Sequence, residues 1–176
     1  AALAGARALD LWKDVNGFYT AHPQFVNHTQ TIRHLNYAEA AELAYFGSEL
    51  LHPRSTEPLQ PRGIPIRLFN IRRPDLKEPG TFIGPAREQS HETIKSITHS
   101  TSYANLELQG IGEGMLPGLL AQVTGKLQEA DINIKSVITA QTDINVLLDA
   151  DDAEQAASLV QALEIPGILH IRLQTD

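Results

Sequence analysis

Residues 36–53 read Asn36-Tyr37-Ala38-Glu39-Ala40-Ala41-Glu42-Leu43-Ala44-Tyr45-Phe46-Gly47-Ser48-Glu49-Leu50-Leu51-His52-Pro53, and they set the architecture around them. Asn36 followed three residues later by Glu39 is a capping box in its asparagine form, which predicts a helix from about Tyr37 to Leu51. Small and apolar residues give this helix one buried stripe: Ala40, Leu43, Ala44, Gly47, Leu50 and Leu51. His52-Pro53 ends it, because the residue before a proline is pushed out of the helical conformation.

Short strands are predicted on both sides of this helix. Leu9 and Leu11 alternate with Asp10 and Trp12, which is typical of a half-buried strand. A second strand, residues 64–69, carries Pro65 near its start, where a proline costs least. From Arg72 to Ser90, dense proline, glycine and charge predict an exposed connection with little packed core. We place a domain boundary near residues 85–95 and assign the two domains to residues 1–88 and 89–176.

The second half has a regular βαββαβ pattern. Strands are predicted at 105–111, 132–138, 144–148 and 168–173. Helices are predicted from Pro117, at the first helical position, to about Asp131, and from Asp151 or Asp152 to Leu163. This order indicates a ferredoxin-like sandwich, with two helices on one face of an antiparallel sheet.

Composition excludes several classes of protein. The 176 residues are 42% apolar and 20% charged, which is ordinary for a globular protein. A net charge of −7 and a pI near 5.4 argue against a nucleic-acid or anionic-membrane partner. There is no apolar run of about 18 residues and no signal-peptide pattern, and zero cysteines exclude disulfides and thiolate sites. We therefore expect a cytoplasmic protein and, since the chain opens with Ala1, a fragment or processed product.

The first half resembles the late part of an aspartokinase catalytic domain. Besides residues 37–53, the similarity lies in residues 11–23, from Leu11-Trp12-Lys13-Asp14 to His22-Pro23, in Gly63-Ile64-Pro65-Ile66, and in Pro79-Gly80-Thr81-Phe82-Ile83. The second half resembles an ACT domain, the amino-acid-sensing module of regulated biosynthetic enzymes, through residues 112–118, 130–134 and 142–146. The fold class implied is α/β (α+β), the C-terminal remnant of an amino-acid-kinase α/β domain followed by a ferredoxin-like ACT domain.

The resemblance implies an enzyme that phosphorylates the side-chain carboxylate of aspartate with ATP and Mg²⁺, the first step toward lysine, threonine and methionine. The family's Lys-Phe-Gly-Gly start has no counterpart here, so the resemblance implies no catalytic residue in this chain, and we expect the chain alone to be inactive. The retained part resembles the nucleotide side of the site. The implied nucleotide-binding residues are Asp14 and Tyr19, together with three departures from the family pattern: Lys13, Gln24 and Glu49.

Two of those departures remove cations that the family directs at nucleotide phosphates. Relatives usually carry arginine where this chain has Gln24 and lysine where it has Glu49. Because a charged hydrogen bond contributes about 1.5–3 kcal/mol, we expect poor ATP binding and no cofactor held tightly by this chain.

The ACT resemblance implies an amino-acid effector site. A carboxylate suits free amides at a helix N-terminus. The residues implied are Glu113, Met115, Leu116, Gly118, Leu119, Leu120, Asn133, Ile134, Lys135, Thr142 and Asp143. Many relatives have aspartate where this chain has Lys135, and a cation there would repel a lysine effector. We therefore expect threonine or another neutral amino acid to be favoured over lysine.

Several of these sequence features also have other interpretations. Gly110, Gly112, Gly114 and Gly118 miss the dinucleotide-binding spacing, and a plain flexible turn stays possible there. Trp12, Tyr19 and Phe46 suit core packing as well as ligand contact. The seven histidines show no metal-binding spacing, so we predict no metal site.

Three functions stay open: part of a feedback-regulated aspartokinase, an amino-acid-binding regulatory unit, or a dimerisation scaffold. We favour the first for the parent protein and the second for this chain. A lone ACT module leaves a sheet edge uncovered, so we expect a homodimer through these modules.

Overall fold

The structure, a computed structural model, describes residues 1–48, 50–73, 77–86, 94–110 and 117–175. These residues form two compact units, residues 1–99 and 100–176. Our predicted boundary at 88/89 falls among residues outside the described ranges and stays a prediction. No helix in the described ranges is long and apolar enough to cross a membrane.

The first unit contains a mixed four-stranded sheet. Its strands are β1 (Leu9–Lys13), β2 (His34–Asn36), β3 (Ile66–Asn70) and β4 (Thr81–Gly84), in the order β1-β3-β4-β2. β1 and β3 are parallel, as are β2 and β4, whereas β3 and β4 are antiparallel. Ile66, Leu68 and Ile83 have no exposed surface and form the centre of the core.

The predicted strands at Leu9 and after Pro65 are confirmed, with β3 beginning at Ile66. The expectation that residues 72–90 form only an exposed connection is wrong for β4, where Thr81 and Ile83 are fully buried. The Thr81 hydroxyl explains why a polar residue is tolerated there. It accepts a hydrogen bond from the Phe18 amide at 2.9 Å and donates one to the Ile32 carbonyl at 2.7 Å.

The helix of the first unit, α1 (Tyr37–Tyr45), begins as the sequence predicts. The Asn36 side chain accepts from the Glu39 amide at 2.8 Å, and the Glu39 carboxylate accepts from the Asn36 amide at 2.8 Å. The predicted end at Leu51 is wrong. The Ser48 amide donates to the Leu43 carbonyl at 2.9 Å, a Schellman-type ending that stops the helix at Tyr45. Short 3₁₀ turns follow at Pro53–Ser55 and Gln60–Arg62.

The second unit confirms the βαββαβ order. It consists of β5 (Tyr103–Gly110), α2 (Leu119–Glu129), β6 (Ile134–Thr139), β7 (Asp143–Asp149), α3 (Ala153–Gln161) and β8 (Ile168–Thr175). The sheet order is β6-β7-β5-β8, and every neighbouring pair is antiparallel. This is the ferredoxin-like arrangement.

Alternate residues of the strands meet both helices in one core. Leu106, Leu108 and Val146 are fully buried there, and the helices contribute Leu119, Val123, Leu127, Ala153, Ala156 and Val160. The prediction that Pro117 is the first helical residue is wrong, because α2 begins at Leu119. Gly118 is the N-cap in a left-handed conformation with φ of 84°, which a glycine adopts without strain.

This core predicts unequal costs for two leucines of the same sheet. Leu106 in β5 is fully buried, whereas Leu169 in β8 is 56% exposed. We expect Leu106→Ala to lower the free energy of unfolding by about 2–5 kcal/mol, and Leu169→Ala by less than about 1 kcal/mol. Urea unfolding followed by circular dichroism measures both. Equal costs for the two variants would contradict the described packing.

Candidate functional site

The candidate site lies where the parallel strands β1 and β3 end. Their register pairs Leu9 with Ile66 at one end and Lys13 with Asn70 at the other. The ladder continues one step further, because the Ile71 amide donates to the Lys13 carbonyl at 2.7 Å. Segments that leave two parallel strands at their carboxyl ends meet at one edge, which is where open α/β sheets bind ligands.

A side-chain bridge fixes the two segments that leave the strands. The Asn70 amide nitrogen donates to the Asn16 side-chain oxygen at 2.8 Å, and the Asn70 oxygen accepts from the Arg72 amide at 2.8 Å. Gly80 closes the arrangement from the β4 side. A Cβ atom at Gly80 would lie 1.4 Å from the Asn16 carbonyl oxygen, so only glycine permits this close approach.

A cavity of about 490 Å³ opens beside this bridge. That volume lies within the range of small-molecule sites. Among the residues that the structure describes, its lining carries three cations and one carboxylate, and consists of Asn16, Thr31, Arg33, Asn70, Arg73, Lys77, Glu78 and Gly80. These described residues are together positive, although the whole chain has a net charge of −7.

Three predicted nucleotide-binding residues lie at the same edge. Lys13 is the last residue of β1, and the carboxylate of Asp14, 68% exposed, lies 3.7 Å from the guanidinium of Arg72. The Tyr19 hydroxyl accepts from the Asn16 amide at 3.4 Å. Tyr19 also pairs with Thr31 in an antiparallel bridge, so its backbone is tied to the cavity lining.

Gln24 is not among the residues that line this cavity. Gln24 lies in an exposed turn, where its amide donates to the ring nitrogen Nδ1 of His22 at 3.3 Å. Glu49 lies outside the described residues. Trp12 stacks on Phe69 with ring centroids 4.9 Å apart, but it is 49% exposed, so the core-packing interpretation is wrong for this residue.

Residues 94–99 form a segment, here the connector, that sequence reasoning did not identify. It lies along the Tyr19 segment: the Ser96 hydroxyl donates to the Tyr19 carbonyl at 2.8 Å, and the Ile97 amide donates to the Thr20 carbonyl at 3.0 Å. The ring of His99 lies 4.8 Å from that of Phe25. The chain that leads into the second unit is thus held against a predicted nucleotide-binding residue.

Glu39 joins the connector to the start of α1. Its carboxylate accepts from Lys95 Nζ at 2.7 Å as well as from the Asn36 amide. Burial raises the pKa of Glu39, but the two hydrogen bonds and the Lys95 charge outweigh that effect, so the pKa lies below its ordinary value. The folded state therefore favours the ionised carboxylate.

The predicted effector residues that the structure describes fall at opposite ends of the second unit. Glu113, Met115 and Leu116 lie outside the described residues. Gly118 caps α2, Leu119 is buried, and Leu120 is 37% exposed. Thr142 and Asp143 lie at this end too, because the Gly110 amide donates to the Thr142 carbonyl at 2.8 Å.

Asn133, Ile134 and Lys135 lie at the other end of the sheet. Ile134 pairs with Leu148, five residues along β7 from Asp143, which is a distance of about 17 Å. One ACT unit therefore does not bring all the predicted effector residues around one small ligand.

Lys135, the cation expected to repel a lysine effector, has an acidic partner of its own. Its Nζ lies 3.0 Å from an Asp149 carboxylate oxygen and 5.8 Å from the ring centre of Tyr103. Because Asp149 balances the charge, the expected repulsion of a lysine effector is reduced.

Among the residues that the structure describes, no group of three or more histidine, aspartate or glutamate side chains could hold a metal ion. The carboxylate of Asp143 is hydrogen-bonded to two polar side chains that follow or precede it closely in the sequence. It accepts from the side-chain nitrogen of Asn145 at 2.8 Å and from the Thr142 hydroxyl at 3.1 Å, at the half-buried start of β7.

Comparison with family models divides the chain in the same way. The model of the amino acid kinase family matches residues 1–70, and a model of the ACT domain matches residues 99–162. The chain is 34% identical over 145 residues to the chloroplastic aspartokinase 3 of Arabidopsis thaliana. That match covers 82% of this chain but 26% of the relative, so the chain spans about a quarter of the relative's length.

Solved structures have the same fold. E. coli aspartokinase III in complex with aspartate and ADP (R-state) matches 99% of this chain and 39% of its own, with a TM-score of 0.77 and 24% identity. The same enzyme in complex with lysine and aspartate (T-state) matches 98% of this chain and 38% of its own, with a TM-score of 0.73 and 23% identity.

The Glu39 contacts predict a specific pH dependence of stability. A carboxylate whose folded pKa is lowered stabilises the fold above its unfolded pKa, and this contribution is lost as the pH falls through the folded pKa. We expect Glu39→Gln to cost about 1 kcal/mol at pH 7 and progressively less below about pH 4. Urea unfolding of both proteins between pH 7 and pH 3 measures the difference.

Glu42→Gln is the matched control, because Glu42 lies in the same helix and is exposed. Its cost should stay near zero at every pH. If both variants showed the same pH profile, the Lys95 and Asn36 contacts would not be the cause.

Proposed function

The chain is aspartokinase-related, with an amino acid kinase segment followed by an ACT domain, and from that premise we propose that its parent protein phosphorylates L-aspartate with ATP. The product is 4-phospho-L-aspartate, the first intermediate toward lysine, threonine and methionine. The observation that carries this proposal is the grouping of Lys13, Asp14 and Tyr19 beside a basic cavity at the carboxyl ends of β1 and β3.

Phosphoryl transfer needs positive charge and hydrogen-bond donors around the phosphate that moves. This chain supplies such groups on the nucleotide side. Asp14 is exposed and offers a carboxylate oxygen, the ligand type that Mg²⁺ prefers beside phosphates. Mg²⁺ when bound would neutralise charge on the phosphates. The chain contributes no catalytic residue of its own in this proposal, so we expect it to be inactive without the rest of the parent protein.

ATP binding by this chain should be weak. Gln24 is a neutral residue in an exposed turn, and the position of Glu49 carries a negative charge in place of a cation. The solved E. coli aspartokinase III has ADP and aspartate bound. That complex supports nucleotide use by the parent of this chain.

The second unit, in our proposal, senses an amino acid and regulates the kinase. At the N-terminus of α2, amides of Gly118, Leu119 and Leu120 suit a carboxylate, and Asp143 at the same end of the sheet suits an ammonium group. Asn133, Ile134 and Lys135 lie about 17 Å away along the sheet. A site that uses both groups would therefore take Asn133, Ile134 and Lys135 from a second copy of the ACT unit.

The effector remains threonine or another neutral amino acid in this proposal, with lysine as the competitor. Pairing of Lys135 with Asp149 weakens the electrostatic argument against lysine. E. coli aspartokinase III has been solved with lysine and aspartate. Lysine therefore belongs in any test.

Self-association is the remaining part of the proposal. β6 and β8 are the edges of the second sheet, and an uncovered edge favours pairing with another copy. We therefore propose a homodimer formed through the ACT units. We propose neither a nucleic acid nor a membrane as a partner. A cytoplasmic location also stays a proposal, since the Arabidopsis thaliana relative is chloroplastic. The second candidate function is a regulatory subunit or dimerisation scaffold without catalysis.

A thermal-shift series tests the sensor function. We expect threonine at 10 mM to raise the melting temperature of the second unit by several degrees if its dissociation constant is about 0.1 mM, because binding stabilises by RT ln(1 + [L]/Kd). Lysine, methionine and glycine are the comparison ligands. Stabilisation by lysine alone would reverse the ranking, and no shift with any amino acid would count against the sensor function and favour a scaffold role for the second unit.

A further inference from the structure

We propose that Asn16 is a site of spontaneous covalent modification, at which its side-chain amide is lost to give aspartate and isoaspartate. The reaction joins the backbone nitrogen of Gly17 to the side-chain carbon of Asn16 and needs only water as a co-reactant. It is independent of the proposed function, because it follows from the local sequence and from contacts inside the first unit. Its consequence is damage to the edge that carries the cavity.

The sequence distinguishes Asn16 from the other asparagines. The chain has seven asparagines, and Asn16 is the one that a glycine follows. Because glycine has no Cβ, its nitrogen approaches the preceding side chain with little steric hindrance. Bulkier residues follow the other six, which are Asn27, Asn36, Asn70, Asn105, Asn133 and Asn145.

The backbone leaves the nitrogen of Gly17 available for this reaction. Gly17 lies in a bend after β1, with φ of 143°. Among the described residues, none accepts a hydrogen bond from its amide. The amides on either side are bound, that of Asn16 to the Tyr19 hydroxyl and that of Phe18 to the Thr81 hydroxyl. An acceptor on the Gly17 amide would oppose the loss of its proton, which the reaction requires.

Asn70 donates a hydrogen bond to the oxygen on which negative charge develops. Its own side-chain oxygen accepts from the Arg72 amide at 2.8 Å, so its nitrogen is the atom that faces Asn16. That nitrogen lies 2.8 Å from the Asn16 side-chain oxygen. When the Gly17 nitrogen attacks the adjacent carbon, this oxygen becomes negatively charged. A donor that is already in place stabilises the charge.

The chemistry has two steps. In the first, the Gly17 nitrogen loses its proton to solvent and bonds to Cγ of Asn16. The bond from Cγ to Nδ2 then breaks, and Nδ2 takes up a proton and leaves as ammonia, so that a five-membered succinimide ring remains. In the second, water adds to a ring carbonyl and the Gly17 nitrogen regains its proton. Opening at Cγ gives aspartate, whereas opening at the backbone carbonyl carbon gives isoaspartate.

The two products affect the fold differently. An aspartate at this position keeps an oxygen for the Asn70 donor. In isoaspartate the main chain runs through the side-chain carbons, which adds one carbon atom before Gly17. The structure has no room for it, since a Cβ at Gly80 would lie 1.4 Å from the Asn16 carbonyl oxygen and a Cβ at Gly17 would lie 2.2 Å from the Thr81 hydroxyl oxygen. Isoaspartate therefore displaces the Asn16 segment from Asn70 and Gly80.

The test is incubation of the folded 176-residue chain in mildly alkaline buffer, followed by peptide mapping with electron-transfer mass spectrometry, which separates isoaspartate from aspartate. We expect Asn16 to be converted before any other asparagine. Asn70→Asp should slow this conversion about tenfold, because it removes the donor and adds a negative charge beside the developing one. Its oxygens can still accept from the Arg72 amide, so the local fold is kept.

Asn105→Asp is the matched control. The Asn105 side-chain nitrogen donates to the Asn145 side-chain oxygen at 2.8 Å, an equivalent bond in the second unit. Conversion of Asn16 in this variant should proceed at the wild-type rate. A parallel incubation in concentrated urea separates the folded contact from the local sequence, because wild type and Asn70→Asp should react equally fast there.

Thermal unfolding of the separated products measures the structural consequence without a change at Asn70. We expect the isoaspartate form to melt several degrees below the unmodified chain, and Asn16→Asp, which matches the aspartate product, to melt close to it.

Several outcomes would overturn the proposal. Conversion of another asparagine before Asn16, or an Asn16 that stays intact, would reject the site. Equal rates for wild type and Asn70→Asp in buffer, or equal slowing in urea, would reject the role of Asn70. An isoaspartate form as stable as the unmodified chain would reject the damage to the edge. None of these outcomes bears on the kinase and sensor functions, which are tested separately.

Discussion

The parallel pairing of β1 with β3 is the constraint on which the candidate site depends. Its register sets Lys13 opposite Asn70, and the two chains leave the sheet side by side. The bridge between Asn16 and Asn70 and the close approach of Gly80 follow from that position. A slip of one residue would turn the side chains of the strand to the other face and separate these groups. The cavity is therefore a consequence of strand register, supported by a buried core of Ile66, Leu68 and Ile83.

A second interaction links this edge to the rest of the first unit. Glu39 completes the capping box of α1 and also pairs with Lys95 of the connector. The connector in turn bonds the backbone of Tyr19 and Thr20. One carboxylate thus holds together the start of a helix and the chain that continues into the ACT unit. Tyr19 in turn accepts from the Asn16 amide through its hydroxyl, so hydrogen bonds join the connector to the edge that carries the cavity.

Sequence patterns predicted those parts of the fold that rest on local, periodic signals. The capping box of Asn36 and Glu39 is of this kind, and so is each element of the βαββαβ order. A few neighbouring residues are enough to indicate each of them. β2 and β4, with three and four residues, are too short to show a period. α1 ends at Tyr45 because the Ser48 amide donates to the Leu43 carbonyl. The sequence did not indicate this end, because Leu50 and Leu51 continue the apolar stripe beyond it.

The cavity could not be predicted from the sequence, because Arg33, Arg73 and Lys77 come together only after the sheet forms. Residues 94–97 read Ile-Lys-Ser-Ile and show no alternation, so the sequence carried no periodic signal for the connector.

In our proposal, this chain is the nucleotide-side and regulatory part of an aspartate kinase. Hydroxylamine trapping tests it most directly, because the acyl phosphate of phosphoaspartate reacts with hydroxylamine to give a hydroxamate, which forms a coloured complex with added ferric ion. The account predicts that the polypeptide containing this chain, given Mg²⁺, ATP and L-aspartate, forms the hydroxamate, whereas the 176-residue chain alone does not. Hydroxamate formation by the isolated chain, or its absence with the complete polypeptide under the same conditions, would contradict the claim.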